Sequence, residues 1–185
     1  DKDNSIGLAL QNIDTSGFTG TGAAFNIDGN GVILFHLKDS TGIKDDFTVN
    51  VASGSNYRYA DMKNSSFTFD KSFSIEDNIN LMVADASAVL LGSNSDISSA
   101  GTGNIGVYAK NKASAAVLSS LGVSDEITNK GKINLGDSST GIYAEGGAGL
   151  LNETAGIINV GDNSQGIYAR NSGSAVNRGK ISIGD

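Results

Sequence analysis

Residues 136–145 read GDSSTGIYAE, and residues 161–170 read GDNSQGIYAR. Around them a second phrase recurs: GKINLGD at 131–137, GIINVGD at 156–162 and GKISIGD at 179–185. A partial copy, GVYAK at 106–110, comes earlier, and an asparagine stands before each unit at Asn129, Asn152 and Asn177. A period in the low twenties marks a solenoid, whose repeats bury their apolar sides only against their neighbours.

The pattern inside the unit selects the kind of solenoid. Ile133 and Leu135 alternate with Lys132 and Asn134, and Ile158 and Val160 alternate with Ile157 and Asn159. Ile181 and Ile183 do the same with Lys180 and Ser182. Period two with one apolar face is a half-buried strand. A Gly-Asp turn follows, with glycine expected to supply a positive φ and aspartate to bond its own backbone. The next strand, 141–145, sends Ile142 and Ala144 one way and Tyr143 and Glu145 the other. A third apolar touch falls at Leu151 and Val176. Three short strands per repeat leave no room for a helix, and the spacing of leucine-rich repeats is missing, so the expected fold is all-β, a parallel β-helix of about 23–25 residues per regular rung.

Stacking explains the repetition. Ile133 is expected over Ile158 and Ile142 over Ile167, forming one apolar column. Tyr108, Tyr143 and Tyr168 should form an aromatic stack, and Asn152 over Asn177 an amide ladder. The acid-to-base change sets Glu145 beside Arg170, where like charges would repel.

Composition agrees. The 185 residues include 25 glycines, no proline, cysteine or tryptophan, and one histidine. Glycine, serine, asparagine and aspartate disfavour helices and suit short strands between turns. A net charge of −7 argues against nucleic-acid binding, which needs a basic footprint. No apolar run spans a membrane, so no membrane contact by this segment is expected. Asp1 opens polar sequence without a basic leader.

A single domain over 1–185 is expected. Its rungs should be irregular over 1–105, with larger aromatic fillings, and regular over 106–185, apart from an insertion near 118–128. Ile6, Leu8 and Leu10 share a face, as do Phe47, Val49 and Val51, Phe67 and Phe69, and Phe73 and Ile75. Residues 54–66, GSNYRYADMKNSS, look like an excursion from the rungs, and 113–121 like a short helix. The last residues stop halfway through a unit, as in a segment of a longer solenoid.

Candidate chemistry is sparse. Stacked Asp137, Asp162 and Asp185 invite a calcium reading, but the calcium-binding solenoid repeat has a nine-residue spacing that is missing here. The pairs Asp45–Asp46, Glu76–Asp77 and Asp125–Glu126 put neighbouring acids on opposite faces of a strand, which makes no catalytic dyad. His36 has no partner histidine and reads as structural. No catalytic residue, metal ligand or cofactor motif is assigned, and the chain is expected not to be an enzyme. The cluster Tyr57-Arg58-Tyr59 is the candidate ligand-binding site: two aromatics flanking an arginine suit stacking on a sugar or filling a partner's pocket. Against it stands a rung corner that buries a tyrosine.

The tandem G-[IV]-Y-A and N-x-G-x-I-x-[VIL]-G-D phrases over about 104–185 resemble the passenger regions of the very large fusobacterial autotransporter adhesins, the RadD-like outer-membrane proteins. That resemblance implies a right-handed parallel β-helix exported by type V secretion. It also implies display on the bacterial surface through a C-terminal membrane barrel that lies outside this sequence. The function implied is adhesion, as a monomer, to a host-cell or bacterial surface protein or glycan. The absence of cysteine agrees with passage across the outer membrane. A passive stalk and a β-helix polysaccharide lyase or hydrolase are the rival readings.

Overall fold

The computed structural model describes residues 4–14, 24–53 and 56–185, and so excludes the leader reading at Asp1 and the first two residues of the expected excursion. Seven coils succeed one another along one axis. The first two supply β1 (Ile6–Gln11) and β2 (Ala24–Asp28), then β3 (Ile33–Lys38), β4 (Ile43–Lys44) and β5 (Thr48–Ser53). The third carries β6 (Arg58–Lys63), β7 (Ser66–Phe69) and β8 (Ser72–Ser74), and the fourth β9 (Asn80–Asp85), β10 (Ala88–Leu91) and β11 (Asp96–Ser98). The fifth holds β12 (Ile105–Lys110), α1 (Ala115–Leu121), β13 (Ile127–Asn129) and β14 (Lys132–Leu135). Then come β15 (Thr140–Glu145), β16 (Gly149–Asn152) and β17 (Ile157–Val160), and finally β18 (Gln165–Ala169), β19 (Ser174–Asn177) and β20 (Lys180–Ile183).

Corresponding strands of successive coils pair in parallel. The first face is β1-β3-β6-β9-β12-β15-β18, and the second runs from β4 through β7, β10, β13 and β16 to β19. The third face is interrupted: β8-β11-β14-β17-β20 form one sheet, and β2 pairs with β5 in a separate one. Ile133 pairs with Ile158, and Ile142 with Ile167, as the repeat requires. One hydrophobic core threads the coils, from Ile27 through Phe35, Phe67 and Ile97 to Ile158 and Val160. Each fully buried Ile, Val or Phe contributes roughly 1.5–3 kcal/mol.

Polar ladders hold the corners. Ser40 N–H donates to Ser65 Oγ at 3.1 Å and Ser65 N–H to Ser87 Oγ at 3.0 Å, spanning 25 and 22 residues. Each of these hydroxyls donates to the carbonyl two residues before it. Lower in the chain the ladder moves to another corner: Asn104 N–H donates to Ser139 Oγ across 35 residues, and Ser139 N–H to Ser164 Oγ across 25. Asn129, Asn152 and Asn177 stack as an amide ladder with Nδ2–Oδ1 distances of 2.8 and 2.7 Å. Buried amides paired in this way avoid the cost of an unsatisfied donor.

Three sequence expectations need correcting. The Gly-Asp turn works differently: Gly136 and Gly161 keep ordinary φ, and the left-handed residues are Ser138 and Asn163, each with φ 54°. Glycine is needed instead for close approach, since a Cβ on Gly161 would sit 2.2 Å from Asp137 Oδ1. Asp137 Oδ1 accepts the N–H of Asp162 on the next coil at 2.9 Å, rather than its own backbone. The residue of the second face that enters the main core is Leu150; Leu151 is buried as well but lies outside that core, and Val176, in register with it on the last coil, is 47% exposed. And the described part of 56–66 is no excursion, because β6 is a full member of the first face between β3 and β9.

The extra residues between Tyr108 and Tyr143 do form an outgrowth, and it includes the helix. Ser114 caps α1 by accepting from Val117 N–H, and Gly122 ends it in the left-handed conformation at φ 65°. Val117 packs with Ala88 and Ala113 in a small satellite cluster, and Ser120 Oγ lies 2.7 Å from Ser66 Oγ. The buried Glu126 carboxylate ties the outgrowth down, accepting from Ala113 N–H at 2.8 Å and from Gly149 N–H.

Candidate functional site

Tyr57 and Tyr59 lie inside the solenoid, 1% and 0% exposed. Tyr59 sits edge-on to Phe69 and Phe73, with ring centroids 5.2 and 4.8 Å away. Only Arg58 of the expected trio reaches the surface, where it pairs with Asp61. As placed, the two rings offer no face to a ligand. The cause is a bend in the first face. At the column shared by Leu34, Tyr59, Leu81 and Gly141, the residue and its C-terminal neighbour both turn inward, which strict alternation does not anticipate. Burial pushes the Tyr57 hydroxyl up to about 12, and it raises Tyr59 further with help from the neighbouring Asp45 carboxylate.

Tyr59 instead belongs to a buried polar cluster that the sequence did not flag. Its hydroxyl donates to Asp45, whose side chain is fully buried and 2.7 Å from Lys71 Nζ. Lys71 also donates to the carbonyl of Phe47, and its ammonium lies 6.0 Å from the Tyr59 ring centroid. Burial raises the Asp45 pKa, against the lowering pull of Lys71 and Tyr59. The one available signal was spacing: Lys71 stands one coil after Asp45.

This cluster floors a lateral cleft of about 740 Å3, with Asp45, Phe47 and Val49 on one wall and Thr68, Lys71 and Phe73 on the other. The opening continues between Val51 and Ser74. It is where the third face splits. Elsewhere on that face the carbonyl before a strand accepts an N–H from the next coil, as in Asp96 to Lys71 and Lys132 to Ser95. The matching bond here would join Ser72 N–H to the Phe47 carbonyl. The Lys71 ammonium takes that carbonyl instead.

A second surface lies on the outside of the first face. Tyr108, Tyr143 and Tyr168 are in register, with centroids 4.7 and 5.2 Å apart. Glu145 accepts from the Tyr108 hydroxyl and, at 3.1 Å, from Tyr143, and Arg170 Nε meets it at 2.8 Å. The Arg170 guanidinium lies 5.3 Å from the Tyr143 ring centroid. The Tyr108 hydroxyl bond and the Arg170 partner hold the Glu145 carboxyl down at about 2. The predicted tyrosine stack and Glu145–Arg170 pair are both present, and Tyr168 is 36% exposed. The same face carries half-buried His36, in register with Asp61.

The acids read for metal or catalysis are placed individually. Asp77 accepts from Thr102 N–H, Glu126 from Ala113 N–H and Gly149 N–H, and Asp137 from Asp162 N–H on the next coil; Asp70, outside those readings, accepts from Asn94 N–H and Nδ2. Among the described residues no group of three or more His, Asp or Glu side chains is arranged to hold a metal ion. No described helix is long and apolar enough to cross a membrane.

No curated protein and no solved structure matches the chain. The family model of the BigA third pectate lyase-like domain matches residues 4–185, which agrees with the parallel solenoid and suits a segment of a bacterial autotransporter-like passenger. With the match running through all seven coils, the chain belongs to the BigA third pectate lyase-like domain family.

Proposed function

We propose that this chain is an adhesive segment of a surface-displayed passenger, acting by binding rather than by catalysis. The observation that carries the reading is the row Tyr108–Tyr143–Tyr168 on the outer side of the first face, braced by Glu145 and Arg170. Aromatic rings held in line on a rigid sheet, with charged groups beside them, suit stacking against a sugar or packing on a protein. Support for binding over catalysis comes from the acids: Asp45 is engaged by Lys71 and Tyr59, and Asp77 and Glu126 cap backbone. In the finer version of the proposal the parent is a RadD-like fusobacterial adhesin, anchored in the outer membrane by a barrel, and the segment acts as a monomer. The partner is then a protein or glycan of another cell.

The rival stalk reading draws on the ladders, which repeat from coil to coil and need no ligand. Glycan-array and cell-binding assays on the wild type and on Tyr143→Ala plus Tyr168→Ala separate the two. Adhesion predicts binding by the wild type that falls at least about tenfold in the double variant, the size expected for losing stacked rings worth roughly 1 kcal/mol or more each. A wild type that binds no array component and no cell leaves the stalk.

A further inference from the structure

We infer that the split in the third face is an acceptor slot for an extended peptide strand with apolar residues facing in and basic residues facing out. This site is separate from the tyrosine row and stands whether or not that row binds anything.

Both walls are strands running in the same direction. Between these two coils the other faces stay closed, with β3 paired to β6 and β4 to β7. Among the described residues, β5 on the third face pairs only with β2 and β8 only with β11, so two parallel edges confront each other across open space. On β8, backbone groups are directed into it. Lys71 C=O and Ile75 N–H both bond toward β11. Because main-chain direction alternates along a strand, Ser72 and Ser74 point their N–H and C=O into the slot. Among the described residues no strand pairs with that edge of β8. Exposed parallel edges accept an added strand through main-chain hydrogen bonds, and side-chain pockets set the selectivity.

The side chains specify which strand. Val49 and Val51 on one wall and Phe73 and Ile75 on the other belong to the inward rows. An inserted strand would place every second residue between them and continue the core. The slot is also acidic: with Asp45 and Lys71 paired on its floor, the remaining charged lining is Lys44 against Asp46, Asp70 and Glu76. The outward residues of the incoming strand are therefore best basic. The six residues of β5 offer roughly 20 Å of edge and the three of β8 roughly 10 Å, enough for a short peptide held on both sides at its centre.

The test uses the unmodified chain and a labelled heptapeptide alternating valine and lysine, with the same peptide N-methylated at its central valine as control. Binding is read by fluorescence anisotropy and by amide hydrogen exchange at Ser72 and Ser74. The expected result is rapid exchange at both serines in the free protein, slowed at least about tenfold by the parent peptide. The methylated peptide, with the same charge, should bind about tenfold more weakly, as expected for losing one well-made backbone bond. The Tyr143→Ala plus Tyr168→Ala protein should bind the peptide like the wild type, which separates this site from the tyrosine row. Equal binding of the two peptides would reduce the effect to charge and overturn the inference. So would no binding, slow exchange at both serines in the free protein, or protection of those amides by oligosaccharides but not by peptide.

Discussion

The upper and lower coils solve the same packing problem in opposite ways. In the upper coils the inward column of the first face holds Leu34, Tyr59 and Leu81, and rings fill the lumen: Phe25, Phe35, Phe47, Tyr59, Phe67, Phe69 and Phe73 touch in one chain of aromatic contacts. In the lower coils the same column is Gly106, Gly141 and Gly166. A Cβ on Gly141 would lie 2.6 Å from Ile158 Cγ2 and 2.5 Å from the Gly166 carbonyl, so the third face has moved in until nothing else fits. The corner before the first face changes with it, from Val32, Tyr57 and Ile79 to the ladder residues Asn104, Ser139 and Ser164. Both parts keep an apolar core and a polar ladder, but the wide coils fill this column with large side chains and the narrow ones with close backbone contact. The split between β5 and β8 lies in the wide part, where a buried Asp–Lys–Tyr cluster stands in for a missing ladder bond.

The strongest way to break this contrast is to empty a wide coil. Tyr59→Ala should cost about 3–5 kcal/mol, as for other large aromatic truncations, because it leaves a cavity among Phe35, Phe69 and Phe73 and removes a donor from Asp45. Urea denaturation followed by near-ultraviolet circular dichroism measures it, and a loss under 1 kcal/mol would mean the rings are not the filling. Next in size is overfilling a narrow coil. Gly141→Ala should cost about 1–3 kcal/mol, since the added methyl meets backbone on one side and a packed isoleucine on the other. A neutral result in the same titration would show the lower coils to be looser than their contacts indicate.

A smaller effect, of opposite sign, sits at the corner after the first face. Asn12, Asp39, Asn64, Asn111, Gly146 and Asn171 are all left-handed there, as is Ala86 at φ 47°. Alanine is the one member without a polar side chain or a glycine's freedom, and the conformation costs such a residue about 1–2 kcal/mol. Ala86→Asn should therefore stabilise by about 1 kcal/mol, read as a raised denaturation midpoint; a lowered midpoint would refute the corner rule. The mildest test concerns pH. Glu145 has a folded pKa depressed to about 2, below an unfolded value of about 4.3, so its stabilisation is fully present above the unfolded value and is lost as pH falls toward 2. Thermal midpoints should fall between about pH 4.5 and 2 in the wild type, and by less in Glu145→Gln. Identical slopes would mean the carboxylate does not bind its tyrosine and arginine partners in solution.

The periodic phrases determined the lower coils almost completely. The pairings Ile133–Ile158, Ile142–Ile167 and Asn152–Asn177, the tyrosine row and the Glu145–Arg170 contact all follow from vertical stacking, because a solenoid converts sequence spacing directly into spatial adjacency. The outgrowth with its short helix was legible for the same reason, as a departure from the spacing. What the tertiary structure alone decided is where alternation fails. The bend that turns both Tyr59 and Ala60 inward recurs along the first face from Leu34 to Gly141, whatever fills the lumen, so it is a property of the coil that alternation along one strand does not reveal. Likewise no pattern within one strand announces that β5 and β8 part company, where Lys71 meets Asp45 and the Phe47 carbonyl from the adjacent coil. Spacing fixes which residues lie above one another, but the width of each coil is a volume problem that all its side chains solve together.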